Sequence, residues 1–231
     1  MNPWRQFWGR AHRIYVNDRH RAVHYKRVAD DILSVLPERA AVVLDYGCGD
    51  AFEAARVADR VNHLYLFDAV PEVVERVRQR FAGQPRIIVM GEAELAGLAS
   101  QSVDLIVVNS VVQYLQPAEL SAMLATGRRL LRPNGLFVIA DIIDPETAAV
   151  ADVSSLLRCA AANGFLIAAM SGLVATFFSD YRRLRQSVGL ATYREADFLR
   201  ILSEAGFAAQ RRATNLGFNP QRMTFLARPR P

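Results

Sequence analysis

The chain has 231 residues, 52% of them apolar and 22% charged, and its cysteines are Cys48 and Cys159 alone. Chains of this size bury roughly 70% of their unfolded surface, so the composition excludes a disordered chain, a collagen-like repeat and a disulfide scaffold, and two such distant cysteines provide no metal-ligand spacing. The formal charge of +5 is uneven: residues 1–39 hold 8 basic and 4 acidic side chains, residues 40–150 hold 9 and 14, and residues 151–231 hold 11 and 5. Two basic ends around an acidic centre suit an anionic substrate, a membrane surface or nucleic acid, or are plain solvated faces.

Residues 1–16 place Trp4, Phe7 and Trp8 among arginines without an apolar run, which argues against a signal peptide. With so few cysteines the expected compartment is a reducing cytoplasm. Tyr25, Val28, Ile32 and Val35 recur at helical spacing and predict a helix over Asp18–Leu36, ended by Pro37. Short apolar runs then alternate with helical stretches. Strands are expected at Val42–Leu44, His63–Phe67, Arg86–Met90 and Val103–Val108, with helices near Phe52–Asp59, from Pro71, and near Ala118–Leu131. A turn at Arg132-Pro-Asn-Gly135 leads into a fifth strand, Leu136–Ile143. Strands alternating with helices imply a parallel sheet covered on both faces, and near-continuous apolar strands agree. The rhythm breaks over residues 144–190. Thr192-Tyr-Arg-Glu195 spells a capping box for a helix bearing Phe198, Leu199 and Leu202. Phe207–Arg212 and Met223–Ala227 then read as a terminal antiparallel pair, joined by a hairpin-like return at Asn215–Pro220.

The densest chemistry lies in Asp45-Tyr-Gly47-Cys48-Gly49-Asp50-Ala51, where the first strand turns into a helix. Glycines there let the chain turn tightly and let a ligand approach the main chain. A dinucleotide site needs G-x-G-x-x-G, and Phe52 stands at the third glycine position. Asp45 and Asp50 would also repel a pyrophosphate. A ligand without phosphate and with a positive charge has the opposite preference. Asp68 ends the second strand, 23 residues after Asp45, where a carboxylate can accept hydrogen bonds from ribose hydroxyls.

This string resembles the first motif of the class I S-adenosylmethionine-dependent methyltransferases, an acidic residue followed by G-x-G. The resemblance implies that Asp45, Gly47, Cys48 and Gly49 line the amino acid end of S-adenosylmethionine and that Asp68, with Ala69, meets its ribose. It implies that Glu92 takes the adenine amino group, with Glu for the family's usual Asp, while the Ala93 amide faces a ring nitrogen. Asn109, at the end of the fourth strand, falls beside the transferred methyl. Ala51 replaces a glycine common in the family, a mild departure. Asn109-Ser-Val-Val lacks the Asn/Asp-Pro-Pro-aromatic pattern of relatives that methylate nucleobase or amide nitrogens, which argues against such targets. Gln113 and Tyr114 follow close behind. The resemblance is good over 41–143, fair over 192–228 and poor over 1–17 and 144–190.

The fold it implies is α/β, a Rossmann-like seven-stranded mixed sheet, five parallel strands plus a terminal antiparallel pair, between helix layers. One domain is expected: an N-terminal helical cap over 1–39, a cofactor-binding core over 40–143, a helical lid insertion over 144–190, and a C-terminal helix and strand pair over 191–231. Where an acceptor must lose a proton, the candidate bases are His20, His24, Asp141 and Tyr181. His20 and His24 stand four apart on one helix, but no third ligand is evident and no metal is expected. Tyr15, Arg19, His24 and Tyr25 are placed to approach the cofactor from a covering helix.

Cys159–Ser179 runs 21 residues without a charge. Its bulky stripe (Leu166, Met170, Leu173, Phe177) and small face (Ala168, Ser171, Gly172, Ala175) read as a lid or packing helix. An interfacial helix or a span are the alternatives, and Arg182, Arg183 and Arg185 would suit anionic headgroups, giving peripheral membrane contact through 159–185. The expected activity is methyl transfer from S-adenosylmethionine, leaving S-adenosylhomocysteine, to a small-molecule or lipid-like acceptor. RNA or protein as acceptor is a second reading, although no aromatic-rich RNA-binding module is visible and nucleic acid is not the expected partner. A non-catalytic binding protein on the same fold is a third, and the intact Asp45, Gly47, Gly49 and Asp68 argue against it.

Overall fold

The computed structural model describes residues 3–9, 15, 17–37, 41–146, 149–166, 168–170 and 190–231. Among these, the helices in chain order are α1 (Pro3–Gly9), α2 (Asp18–Leu33), α3 (Ala54–Ala58), α4 (Pro71–Arg80), α5 (Glu92–Gly97), α6 (Pro117–Leu130), α7 (Ala149–Ala162) and α8 (Glu195–Glu204). The strands are β1 (Val42–Tyr46), β2 (His63–Phe67), β3 (Ile87–Met90), β4 (Val103–Asn109), β5 (Leu131–Ile142), β6 (Phe207–Arg211) and β7 (Met223–Pro229).

The seven strands form one sheet in the order β3-β2-β1-β4-β5-β7-β6. The first five run parallel, and β7 lies antiparallel to both β5 and β6. The mixed sheet expected from the sequence is thus present. β1 lies between β2 and β4, so the chain reverses its direction of travel across the sheet beside β1. Such a switch point leaves a crevice at the carboxyl ends of the strands. Asp45 and Tyr46 at the end of β1 and Asn109 at the end of β4 stand at that crevice.

Local chemistry accounts for the element ends. Asn17 caps α2, its Oδ1 accepting from the His20 amide at 2.8 Å. The helix stops at Leu33 rather than Leu36, because Ser34 turns back: its amide donates to the Asp30 carbonyl at 3.0 Å and its hydroxyl to the Asp31 carbonyl at 2.7 Å. Pro71 and Pro117 open α4 and α6, where a missing amide hydrogen costs nothing. The antiparallel end of the sheet is held by phenylalanines: Phe198 of α8 packs on Phe225 at 4.9 Å and Phe137 on Phe207 at 5.5 Å, all four fully buried.

Three local expectations are corrected. The turn at Arg132–Gly135 does not separate α6 from β5; it is an irregularity inside the strand. Val103 pairs with Leu131 but Leu105 pairs with Leu136, so the partner strand advances two residues while β5 advances five. The capping box at Thr192–Glu195 does not form. Arg194 is the N-cap of α8, without a side-chain cap, and the Glu195 carboxylate pairs with Arg211 at 2.8 Å instead. Within 159–170 the buried side chains are Ala160, Phe165 and Ala169, whereas Leu166 and Met170 of the supposed packing stripe face outward. Residues 171–189, with the rest of the stripe, the arginines and Tyr181, lie outside the described residues. Among the described residues no helix is long and apolar enough to cross a membrane.

Candidate active site

The loop after β1 is bound to the end of β2. The amides of Gly47 and Cys48 both donate to the Phe67 carbonyl, at 2.8 and 3.0 Å. Gly47 has φ +82° and a Cβ there would lie 2.5 Å from Val111, so the position requires glycine. Gly49 has φ +54° with only the Tyr25 hydroxyl near, at 3.5 Å from where a Cβ would stand. Ala51 holds φ +48°, left-handed although it is not glycine. The departure from the family pattern therefore carries a cost of roughly 1–2 kcal/mol in backbone strain.

Asp68 fastens this loop. Its carboxylate accepts from the Gly49 amide at 3.1 Å and the Val70 amide at 2.9 Å. Burial pushes its carboxyl above the ordinary range, and these two hydrogen bonds oppose the rise. Asp45 is more exposed to this problem. It is buried, accepts no hydrogen bond from any described residue, and burial together with the nearby Asp68 charge pushes it up to about 7. A buried carboxylate without a partner, as at Asp45, is costly and calls for a partner that brings positive charge or hydrogen-bond donors; Asp68 is half-buried and is partly offset by the nearby Arg76 charge.

These groups line a first cavity of about 290 Å³. Asp45, Gly47, Cys48, Gly49, Asp68 and Ala69 form its base, and Glu92 and Asn109 stand on its wall. Helix α1 covers it with Trp4, Arg5 and Trp8. The buried Trp4 indole nitrogen has no hydrogen-bond partner among the described residues. Arg5 reaches Glu92 at 2.7 Å, so α1 is latched to the start of α5. Tyr15 and Tyr25 close the side facing α2; the Tyr15 hydroxyl donates to that of Tyr25, which accepts the Asp50 amide at 3.1 Å.

A second cavity of about 360 Å³ adjoins the first, and Trp8, Tyr15, His24, Asn109, Ser110 and Tyr114 line both. Its floor is a polar network. Asp141 meets Arg222 at 2.6 Å, accepts the Ser110 hydroxyl at 2.6 Å, and is braced by Asn215, which accepts the Asp141 amide at 3.3 Å. Ser110 and Asp141 are both left-handed, with φ +58° and +65°, at the ends of β4 and β5. Strain of this kind persists where surrounding structure enforces it, often at sites. His24 stands at the junction of the two cavities, ringed by Tyr15, Tyr25 and Phe218 at 5.3, 5.2 and 6.2 Å. Burial and the neighbouring His20 hold its imidazole down at about 4, hence unprotonated near neutrality.

Of the residues expected at a site, Asp45, Gly47, Cys48, Gly49, Asp68, Ala69, Glu92 and Asn109 converge on the first cavity, while Ala93 does not line it. Glu92 is engaged by Arg5, and its side chain is largely exposed. His24 borders both cavities; His20 and Asp141 border the second, where His20 stacks on Phe165 at 5.1 Å. Arg19 lines neither cavity. Sequence reasoning missed the contributions of Arg5, Ser110, Phe218 and Arg222. The alternating aromatic and basic residues of the N-terminus were the only signal for α1; nothing in the return between β6 and β7 marked it as part of a site.

A family model described as a methyltransferase domain matches residues 44–139. An uncharacterized methyltransferase of Mycobacterium bovis is 26% identical over 142 residues, covering 61% of this chain and 70% of that protein. A carboxy-S-adenosyl-L-methionine synthase of Dichelobacter nodosus is 28% identical over 108 residues, 45% of this chain and 46% of its own length. The fold is shared with magnesium protoporphyrin IX methyltransferase from Synechocystis, at TM-score 0.59 and 19% identity over 99% of this chain and 93% of that one. Residues 44–139 thus match a methyltransferase domain, and the acidic G-x-G motif at the switch point and this sheet topology resemble those of the class I S-adenosylmethionine-dependent methyltransferases.

Proposed function

We propose that the first cavity holds S-adenosylmethionine, that the second holds a small-molecule acceptor, and that the methyl group passes at their junction beside Asn109, Ser110 and His24. The observation that carries this reading is a pair of carboxylates at the base of the cavity: Asp45, buried and without a partner among the described residues, and the half-buried Asp68, which accepts from two amides. A sulfonium and an ammonium answer the charge of Asp45; ribose hydroxyls answer Asp68. The glycine cradle at Gly47 and Gly49 lets such a ligand meet the main chain.

When bound, the cofactor supplies an electrophilic methyl: one bond forms from an acceptor heteroatom to carbon, the carbon–sulfur bond breaks, and a neutral thioether is left. This chain's contribution is placement and water exclusion. Trp4 and Trp8 of α1 cover the first cavity, and the Arg5–Glu92 pair holds the cover in place. For an acceptor that must lose a proton, His24 is the base: it is unprotonated near neutrality and stands on the boundary of both cavities. Asp141 is committed to Arg222, Ser110 and Asn215, and its role is to fix the floor of the acceptor side. The second cavity has the size of a small-molecule site.

Calorimetric titration tests the reading. S-adenosylmethionine and S-adenosylhomocysteine should bind at micromolar strength and NAD should not. Asp68→Ala should weaken both by about tenfold to a hundredfold, the worth of hydrogen bonds to a charged group. Absence of binding by folded protein would remove the assignment.

A further inference from the structure

We infer that the acceptor is a neutral, ring-bearing molecule and that the side-chain amide of Gln113 is the group that reads it. The inference rests on the assignment of the second cavity as the acceptor side. Three features of that cavity carry it.

The first is charge. Among the described residues, the charged side chains on its lining are Arg27, Asp141 and Arg222. Arg222 faces Asp141 at 2.6 Å, and Arg27 faces the buried Asp31 at 2.9 Å. Asp31 is further held by the Gly217 amide at 2.7 Å. Both cations are thus matched by a carboxylate of this chain. An anionic acceptor would have to displace one of them, and a cationic acceptor would meet an already neutralised acid. Neither gains enough from the cavity to repay its desolvation.

The second feature is shape and surface. Trp8, Tyr15, His20, His24, Tyr114 and Phe218 bring six rings to one cavity. They come from α1, the segment ahead of α2, α2 itself, the turn after β4 and the loop before β7. Flat apolar walls from four directions favour a planar molecule, which gains ring–ring contact at little conformational cost.

The third feature is Gln113. It is only 6% exposed, lies in the turn Val112–Tyr114 directly after β4, and lines the second cavity. Its backbone carbonyl is used, accepting the Ala191 amide at 2.9 Å. Its side-chain oxygen is buried with no hydrogen-bond partner among the described residues. A buried amide left unmatched costs roughly as much as a lost hydrogen bond. Thr224 or Ser155, by contrast, are buried polar groups with partners inside the fold: Thr224 Oγ1 donates to Asn215 Oδ1 at 2.7 Å and Ser155 Oγ to the Phe218 carbonyl at 2.8 Å. Gln113 offers a donor and an acceptor together, which matches a hydroxyl or amide on the bound molecule and not a bare hydrocarbon edge.

The test uses the full chain saturated with S-adenosylhomocysteine and three probes of one ring system: 2-naphthol, 2-naphthoate and 2-methylnaphthalene. Equilibrium dialysis reads their binding. 2-Naphthol should bind about tenfold more tightly than either of the others, the usual worth of one satisfied hydrogen bond in a buried site. Gln113→Met keeps the length of the side chain and removes the amide. It should bring 2-naphthol down to the level of 2-methylnaphthalene while leaving that probe and S-adenosylhomocysteine unchanged. Preferential binding of 2-naphthoate overturns the charge argument. Retained preference for 2-naphthol in Gln113→Met overturns the role of the amide. If S-adenosylhomocysteine binds and none of the three probes does, the inference fails while the cofactor assignment stands; if S-adenosylhomocysteine itself does not bind, the assignment beneath it has failed. The ranking of probes on the unaltered protein decides the neutral, ring-bearing acceptor by itself, and Gln113→Glu, of the same shape, is the second variant for the amide: its carboxylate should abolish the preference for 2-naphthol over 2-methylnaphthalene, and a preference retained there overturns the amide's role.

Discussion

With S-adenosylmethionine placed beside Asp45 as proposed, its binding is a proton-coupled event. In the free protein, burial and the Asp68 charge push the Asp45 carboxyl up to about 7. A sulfonium beside it favours the carboxylate, so binding below that value must expel the proton. At pH 7.5 about three quarters of the free sites are already ionised, whereas at pH 5.5 only about one in thirty is. Affinity for S-adenosylmethionine should therefore fall by about twentyfold over that range, close to 2 kcal/mol. The linkage has a counterpart in stability. A raised acid favours the fold at low pH, so Asp45 contributes stability that is complete below its unfolded value near 4 and is lost as pH rises through about 7. Calorimetry at pH 5.5, 6.5 and 7.5, in two buffers of different ionisation heat, reads both the affinity and the proton released. Asp45→Asn should bind weakly throughout and lose most of the slope. A dissociation constant flat across this range, or an Asp45→Asn variant with the same slope as the parent, would refute the reasoning.

Three further outcomes follow from the packing. Gly127 of α6 lies against the Phe137 ring where a Cβ would overlap it; Gly127→Ala should therefore lose about 1–3 kcal/mol in a denaturant melt, although alanine is the better helix former. Arg222→Met leaves Asp141 buried without its cation, a loss of about 3–5 kcal/mol, and adding Asp141→Asn should restore most of it; an additive double variant would contradict this. Ala51→Gly should raise stability, since it relieves a left-handed alanine at the cofactor loop, by up to about 1 kcal/mol in thermal unfolding.

The sheet was legible because its strands are short apolar runs set between helical periods, and periodicity survives any tertiary context. The first cavity was legible because Asp45, Gly47, Gly49 and Asp68 lie within one stretch of sequence, at strand ends that topology brings to one crevice. The second cavity was not, because its lining comes from Trp8, His20, Gln113, Asp141, Cys159 and Arg222, six points spread over the chain with no local pattern. Ala51 shows the limit in miniature. As a letter it is a conservative change from glycine; its strain is visible only as a φ of +48°. Glu92 shows another: its place after β3 was read correctly, but its engagement by Arg5 depends on where α1 packs. The turn at Arg132–Gly135 misled because proline and glycine signal a break, while the pairing of Val103 with Leu131 carries the strand across it.

A crystal structure of the protein with S-adenosylhomocysteine tests the central claim most directly. The account predicts the homocysteine end over Gly47–Gly49 beside Asp45, the ribose hydroxyls on Asp68, and the sulfur at the boundary between the two cavities, near Asn109 and His24. Density for the ligand in the second cavity, or a sulfur turned away from that boundary, would contradict it.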